Sequence, residues 1–279
     1  MANRLKHFFV LTRPLNVLIG MLSIFMGAFI TGTISPLMHV LLASLSGGLI
    51  AGGANVINDY YDVEIDKINK PRRPIAAGNI SPAEGFIYSI LLYSAGIVVG
   101  WFVNWQAFAI ALFSSLLLFF YSARLKRTVL YGNLAVSLVT ALAFIYGGVA
   151  VNRLGFAIIP AVFSFFYHLG REIIKDAEDI EGDLKNNIKT FPIKYGKVAA
   201  LRLASFIYIL LIFITFIPYL LNIFGLYYLV IVVFVVNAVV VYTLFAMWKD
   251  SSPQKLSRLS VILKLNMFAG LIAIYLGKF

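Results

Sequence analysis

The chain has 279 residues, of which 61% are hydrophobic and only 13% are charged. Soluble domains carry about 25% charged residues, so this chain has too little polar material to cover a water-facing surface, and a soluble globular fold is excluded. The absence of cysteine excludes disulfides, thiolate metal sites and a cysteine nucleophile. The net charge of +11 does not indicate nucleic-acid binding, because basic excess is the usual result of the positive-inside rule in membrane proteins.

Long apolar runs fill most of the chain. A membrane-spanning helix needs about 20 mostly apolar residues, and nine such runs follow one another, separated by Gly, Pro, Asn or charged residues. They are 15–34, 38–57, 84–103, 106–123, 131–151, 155–174, 199–221, 225–247 and 260–277. The sequence therefore predicts an all-α, polytopic membrane protein with nine transmembrane helices, and no linker divides residues 1–279 into separate domains.

The basic residues are distributed unequally between the two ends of these predicted helices. If the N-terminus is cytoplasmic, 21 of the 23 Lys and Arg residues fall on the cytoplasmic side, and only Arg153 and Lys278 fall on the other. Cytoplasmic loops are enriched in Lys and Arg. The sequence therefore predicts a multi-pass protein of the cell membrane with a cytoplasmic N-terminus and an outside C-terminus.

Ten of the twelve acidic residues lie in two short segments, both at the predicted cytoplasmic ends of helices. The first segment contains Asp59, Asp62, Glu64 and Asp66, and the second contains Glu172, Asp176, Glu178, Asp179, Glu181 and Asp183. Carboxylates at a membrane edge are costly and need partners, so they indicate a functional site. The alternative is a pair of solvated loops of mixed charge.

The spacing within these segments favours a shared metal site over mixed loops. Asn58, Asp62 and Asp66 recur every four residues, as do Asp179 and Asp183, so a continuing helix would place each set on one face. Like charges at this spacing repel one another and need cations. Carboxylate oxygens suit Mg²⁺, and the Lys and Arg residues that follow each segment suit phosphate. The pattern is typical of a magnesium-diphosphate site.

Two motifs within these segments resemble those of the UbiA superfamily of intramembrane prenyltransferases. The run Asn58-Asp59-Tyr60-Tyr61-Asp62-Val63-Glu64-Ile65-Asp66 matches the first family motif, Asn-Asp-x-x-Asp-x-x-x-Asp, and Asp179-Ile180-Glu181-Gly182-Asp183 matches the second, Asp-x-x-x-Asp. The run that continues through Arg72-Arg73-Pro74-Ile75 looks most like the archaeal digeranylgeranylglyceryl phosphate synthases. The resemblance implies a helical bundle with a central cavity and cytoplasmic cap loops, and an active site on the cytoplasmic side.

The resemblance also implies roles for individual residues. Mg²⁺ and the diphosphate would be held by the four aspartates and one asparagine of the motifs, which are Asn58, Asp62, Asp66, Asp179 and Asp183. Further diphosphate contacts are expected from basic residues near the cytoplasmic helix ends, which are Arg13, Arg73, Lys126 and Lys189. Tyr121 is expected at the substrate as an aromatic face that can stabilise the allylic cation. For Lys126 and Arg13 an alternative remains, since cytoplasmic cations orient any membrane protein.

The expected reaction is Mg²⁺-dependent transfer of a geranylgeranyl group from geranylgeranyl diphosphate to a lipid-like phosphate acceptor, the hydroxyl of geranylgeranylglyceryl phosphate, within the membrane lipids. An aromatic acceptor, such as a quinone or homogentisate-like precursor, is the first alternative. A secondary transporter is a more distant one, because transporter sites lie near the bilayer midplane on broken helices, whereas these acids gather at helix ends.

Overall fold

Helices account for nearly all of the regular structure in this computed structural model, which describes residues 2–185 and 188–278. In chain order the helices are α1 Ala2–Leu11, α2 Pro14–Phe29, α3 Leu37–Tyr61, α4 Val63–Asn69, α5 Pro82–Trp101, α6 Trp105–Ala123, α7 Tyr131–Ala150, α8 Ile158–Glu178, α9 Ile180–Lys185, α10 Phe191–Tyr195, α11 Lys197–Leu220, α12 Leu226–Ile231, α13 Ala238–Lys249 and α14 Pro253–Leu276. Single 3₁₀ turns stand at Leu125–Arg127 and Gly155–Ala157, and a π-helical segment, Val232–Asn237, joins α12 to α13.

The membrane-spanning character predicted from the sequence is confirmed. In the part of the chain that the structure describes, eight helical stretches are long and apolar enough to cross a bilayer. A ninth span results if the residues of α1 from Arg4 onward and α2 count as one helix bent by 49°. The bend lies at Thr12-Arg13, where Arg13 adopts a left-handed conformation with φ 52°. The protein is therefore an all-α, multi-pass membrane protein.

Several helices extend beyond the apolar windows. The second predicted span ends at 57, but α3 continues to Tyr61, and the sixth ends at 174, but α8 continues to Glu178. The last helix begins at Pro253 instead of 260, because Ser252 caps it by accepting a hydrogen bond from the Lys255 N–H. In each case the extra turn carries polar residues, which a hydropathy window excludes although they remain helical.

The helices group into two compact units, one formed by residues up to Leu125 with Leu142–Gly155, the other by Lys126–Ala141 with residues from Phe156 onward. The single domain expected over 1–279 stays a prediction. In the first unit α3 packs against α2, α5 and α6. A chain of buried hydroxyls links α7, α3 and α5: Tyr146 donates to Ser46 at 2.7 Å, and Ser46 donates to the Gly96 carbonyl at 2.6 Å. Buried polar groups are thereby satisfied within the unit.

The second unit is built around α8, α11 and α14. Its core includes the fully buried Ile173, Tyr208 and Leu259. The π-helical segment has a physical account here. A π turn leaves a backbone carbonyl without its usual α-helical partner, and the Nδ2 of Asn266 donates to the Val236 carbonyl at 3.1 Å. An amide from a neighbouring helix therefore satisfies the irregular backbone.

Candidate active site

The first acidic segment is helical on both sides of one turn residue, Asp62. There α3 ends, Asp62 has φ −98° and ψ 6°, and α4 begins at Val63. The hydrogen-bond ladder nevertheless continues: the Asp62 N–H donates to the Asn58 carbonyl at 3.0 Å, and the Asp66 N–H donates to the Asp62 carbonyl at 2.7 Å. The three residues therefore stand on successive turns, as their spacing predicts.

Two arginines neutralise the buried carboxylates of this segment. Asp59, only 3% exposed, accepts hydrogen bonds from Arg13 and from Arg73, the latter at 3.0 Å. The same Arg73 nitrogen lies 2.6 Å from Asp66. Burial raises the pKa of the Asp66 carboxyl, and the Arg73 charge opposes that rise. Arg73 therefore balances two carboxylates that the protein has removed from water.

Asn58 and Asp62 form a separate pair on this segment. The Asn58 Nδ2 donates to Asp62 Oδ2 at 3.0 Å, so the amide and the carboxylate point to the same side of the helix. Both side chains are partly exposed. Their oxygen atoms are hard donors of the kind that Mg²⁺ prefers.

The second acidic segment repeats the backbone geometry of the first. The long helix α8 ends at Glu178, Asp179 has φ −91° and ψ 8°, and the short helix α9 follows. The Asp179 N–H donates to the Lys175 carbonyl at 3.0 Å, and the Asp183 N–H donates to the Asp179 carbonyl at 2.9 Å. Asp179 and Asp183 are therefore local counterparts of Asp62 and Asp66.

Two polar residues that the sequence reasoning missed support this second segment. The buried Asn133, near the start of α7, donates from Nδ2 to Asp176 Oδ2 at 2.9 Å. The buried Thr190 donates to Asp183 Oδ2 at 3.3 Å. Asn133 could have been found from the sequence, because a polar side chain near the start of an apolar membrane helix needs a partner. Thr190 gave no signal of its own in the sequence.

Glu172 belongs to the second acidic segment but has a structural role. It is buried on α8 and lies 2.9 Å from Arg171 and 2.8 Å from Lys175. Arg171 also donates to the Ser260 carbonyl on α14 at 3.1 Å. Because both oxygens of Glu172 are held by cations of its own helix, this carboxylate stabilises the α8–α14 contact.

The remaining residues expected at the site occupy loops and helix ends. Lys126 lies in the 3₁₀ turn Leu125–Arg127, and Lys189 lies just before α10, with its backbone N–H donating to the Arg127 carbonyl at 3.2 Å. The two basic connections are thus joined directly within the second unit. Tyr121 is a partly exposed residue in the last turn of α6. Phosphate contacts of Arg13, Arg73, Lys126 and Lys189, and the aromatic contact of Tyr121, stay predictions.

The donor set fits a magnesium ion shared with substrate. Among the described residues, no three His, Asp or Glu side chains are already arranged as a protein cage for a metal. Mg²⁺ usually takes only one or two carboxylates and completes its octahedron with water and substrate phosphate oxygens. Oxygen donors on successive turns, such as Asn58 and Asp62, satisfy that requirement.

Comparison with known proteins identifies close relatives over nearly the full length. The pattern of the UbiA prenyltransferase family matches residues 20–270. Digeranylgeranylglyceryl phosphate synthase of Saccharolobus solfataricus is 39% identical, with 98% of this chain and 97% of the relative covered. A solved structure that concerns digeranylgeranylglyceryl phosphate synthase in membranes superposes with a TM-score of 0.79 at 33% identity, covering 99% of both chains. A UbiA homolog from Archaeoglobus fulgidus, bound to GPP and Mg²⁺, has the same fold, with a TM-score of 0.71 at 21% identity over 96% of this chain and 99% of that one.

Proposed function

The chain belongs to the UbiA prenyltransferase family and is a membrane-embedded prenyltransferase, and on this premise we propose that it transfers a geranylgeranyl group from geranylgeranyl diphosphate to the free hydroxyl of geranylgeranylglyceryl phosphate. The observation that carries the proposal is the 39% identity to a digeranylgeranylglyceryl phosphate synthase over nearly both whole chains. In this reaction the allylic C–O bond breaks, diphosphate leaves with the electron pair, and the acceptor oxygen forms the new ether bond and loses its proton.

The two aspartate motifs hold the leaving group. Asn58, Asp62, Asp66, Asp179 and Asp183 provide oxygen ligands for a divalent cation, which we propose is Mg²⁺, as in the A. fulgidus homolog. When bound, Mg²⁺ acts as a Lewis acid on the departing diphosphate. Arg13, Arg73, Lys126 and Lys189 supply further donors to its oxygens, and such charge-assisted hydrogen bonds are strong in a site with little water. Tyr121 offers an aromatic face to the allylic cation.

The helix ends that carry these residues lie on the cytoplasmic side in this proposal, with the C-terminus outside. The support is the distribution of basic residues, 21 of 23 on the side of the motifs. Both substrates are amphiphiles with an anionic head, so a site at the membrane edge meets their charged ends while their prenyl chains remain in the bilayer.

The proposal is tested with purified protein, radiolabelled geranylgeranyl diphosphate and two acceptors, geranylgeranylglyceryl phosphate and homogentisate. We expect Mg²⁺-dependent labelling of the glyceryl phosphate lipid alone, and complete loss on chelation. If homogentisate is labelled and the glyceryl phosphate lipid is not, the proposed acceptor is wrong and an aromatic acceptor takes its place.

The motif assignment is tested separately with matched pairs of variants. Asp62→Ala and Asp179→Ala are each expected to lower turnover by about a hundredfold or more, because each removes a ligand of the ion that stabilises the leaving group. The controls are Glu64→Ala and Glu181→Ala. Each removes one negative charge from an exposed position two residues after the tested aspartate, and each variant is expected to retain activity. Near-normal turnover of the aspartate variants would remove the assignment.

A further inference from the structure

An open cavity of about 460 Å³ lies in the first unit, where the α1–α2 junction meets the end of α3 and the turn that follows α4. Its lining combines apolar and charged residues. The apolar ones are Val10, Pro71 and Pro74. The charged lining consists of four cations and one acid, which are Arg13, Lys70, Arg72, Arg73 and Asp59.

Four cations and one acid line the cavity, so its lining carries an excess of positive charge. Asp59 is its one acidic residue and already accepts hydrogen bonds from Arg13 and Arg73. Arg72 is exposed and forms no ion pair with any described residue. An anion that enters the cavity therefore meets a guanidinium whose fork geometry matches phosphate.

The turn that presents Arg72 is held firmly in place. Its Arg73 is bound to the buried Asp59 and Asp66, and its Arg73 N–H donates to the Lys70 carbonyl at 3.0 Å. The next residues, Pro74 and Ile75, are buried. Lys70 and Arg72 are therefore displayed from a fixed backbone, which reduces the entropy lost on binding.

The shape of this lining fits a phosphorylated lipid. A phosphate monoester carries about −1.5 to −2 charges and several acceptor oxygens, which suits the basic residues of the lining. Val10 in the lining belongs to α1, where Leu5 and Phe9 are also exposed, so this helix offers apolar surface to a hydrocarbon chain. A free phosphate ion would leave the apolar lining unused.

We propose that this basic cavity binds the phosphate of the acceptor lipid, an inference that rests on the proposed function. Asp59 in its lining is three residues from Asp62, which is about 4.5 Å along a helix axis. The reacting hydroxyl of a glyceryl phosphate is only a few bonds from its phosphorus. A phosphate held by Arg72 and Lys70 therefore brings that hydroxyl within reach of a prenyl diphosphate bound at the first aspartate motif.

The test compares two acceptors that differ only in the phosphate, geranylgeranylglyceryl phosphate and geranylgeranylglycerol. Arg72→Gln and Lys70→Gln are each expected to raise KM about tenfold for the phosphorylated acceptor, the loss typical of one charge-assisted hydrogen bond. KM for geranylgeranylglycerol and for geranylgeranyl diphosphate should stay unchanged. Lys6→Gln, which removes the same charge from an exposed site on α1, is the matched control. Unchanged KM for the phosphorylated acceptor would overturn the inference.

A binding measurement separates this inference from the proposed function. Equilibrium binding of labelled geranylgeranylglyceryl phosphate, without prenyl diphosphate, should weaken about tenfold in Arg72→Gln. If the native protein binds this lipid through Arg72 but transfers nothing to it, the proposed function fails and the phosphate site remains. If it transfers normally and Arg72→Gln binds equally well, only the inference fails. In a third outcome, Arg72→Gln weakens binding of geranylgeranylglycerol as much as binding of geranylgeranylglyceryl phosphate, and only in vesicles that contain anionic lipid. That result would show that the cavity binds bulk anionic lipid and would overturn the inference.

Discussion

The guanidinium of Arg73 lies between two buried carboxylates, 3.0 Å from Asp59 and 2.6 Å from Asp66. The sequence predicts that Arg73 contacts phosphate. Composition alone does not show whether a cation binds a ligand or neutralises an acidic residue of its own chain. Asp59 and Asp66 are seven residues apart, which is about two helical turns, but Arg73 lies beyond the end of α4, so only the fold brings it to both carboxylates. Arg73 thus has a structural role that the motif did not reveal.

Replacing Arg73 with Gln should destabilise the protein more than replacing Arg13. Arg73→Gln removes the cation shared by two buried carboxylates, and we expect a loss of about 2 kcal/mol in the free energy of unfolding. Arg13→Gln leaves Asp59 paired with Arg73, so a loss of about 1 kcal/mol is expected. Thermal unfolding of the purified variants in detergent measures both, and equal losses would contradict the shared role of Arg73.

The same pair of variants should show a pH dependence of defined sign. Burial raises the pKa of the Asp66 carboxyl above its value in the unfolded chain. Protonation of Asp66 therefore stabilises the native state relative to the unfolded chain, and this contribution is lost as pH rises through the native pKa. Without Arg73 the carboxylate is harder to ionise still. The Arg73→Gln deficit should therefore be smaller near pH 5 than at pH 8, and a deficit that grows on acidification would contradict this account.

At the scale of helices, the long spans were predictable and their ends were not. Apolar length identifies α3, α5, α6, α7, α11 and the other spans, because the bilayer demands it. The motif-bearing turns of α3 and α8 were assigned outside the spans, since their carboxylates lower hydropathy although backbone hydrogen bonds continue to Asp66 and Asp183. The π-helical segment before α13 was not predictable, because its stabilising amide comes from α14.

Close helix contact in the first unit depends on glycine. A Cβ built on Gly27 of α2 would overlap the Phe144 carbonyl oxygen of α7 and would stand 2.8 Å from the Phe144 Cα. These are backbone atoms, which cannot rotate away. Such contact is typical of membrane helices, where small residues let backbones approach each other closely.

Gly27→Ala should therefore be strongly destabilising, while Gly20→Ala on the same helix should not. Nothing lies within 4 Å of a Cβ at Gly20, and alanine is the better helix former by about 1 kcal/mol. At Gly27 overpacking outweighs that gain, and we expect a net loss of about 2 kcal/mol or more. Heating each variant and measuring the fraction that stays monodisperse on gel filtration gives the comparison. Equal midpoints for both variants would show that α2 and α7 do not meet at Gly27.

At the scale of the whole molecule, the distribution of basic residues over all the loops predicts the orientation of the protein in the membrane. Twenty-one basic residues and both aspartate motifs are assigned to one side, and Arg153 with Lys278 to the other. If each long helix crosses the bilayer once, successive connections lie on alternate sides, which is the arrangement that the positive-inside rule predicts here. Counting the bent α1–α2 pair as one span is essential to this alternation, since its omission would invert every assignment after it.

This orientation is directly testable because the chain has no cysteine. A single cysteine introduced at a loop is then the only thiol, and a membrane-impermeant maleimide reports its side. Arg153→Cys, an exposed position in the α7–α8 connection, should be labelled in intact cells. Lys249→Cys, exposed at the end of α13, should be labelled only after the membrane is opened. Labelling of Lys249→Cys in intact cells, with Arg153→Cys protected, would place the aspartate motifs outside and would separate them from a cytoplasmic supply of prenyl diphosphate.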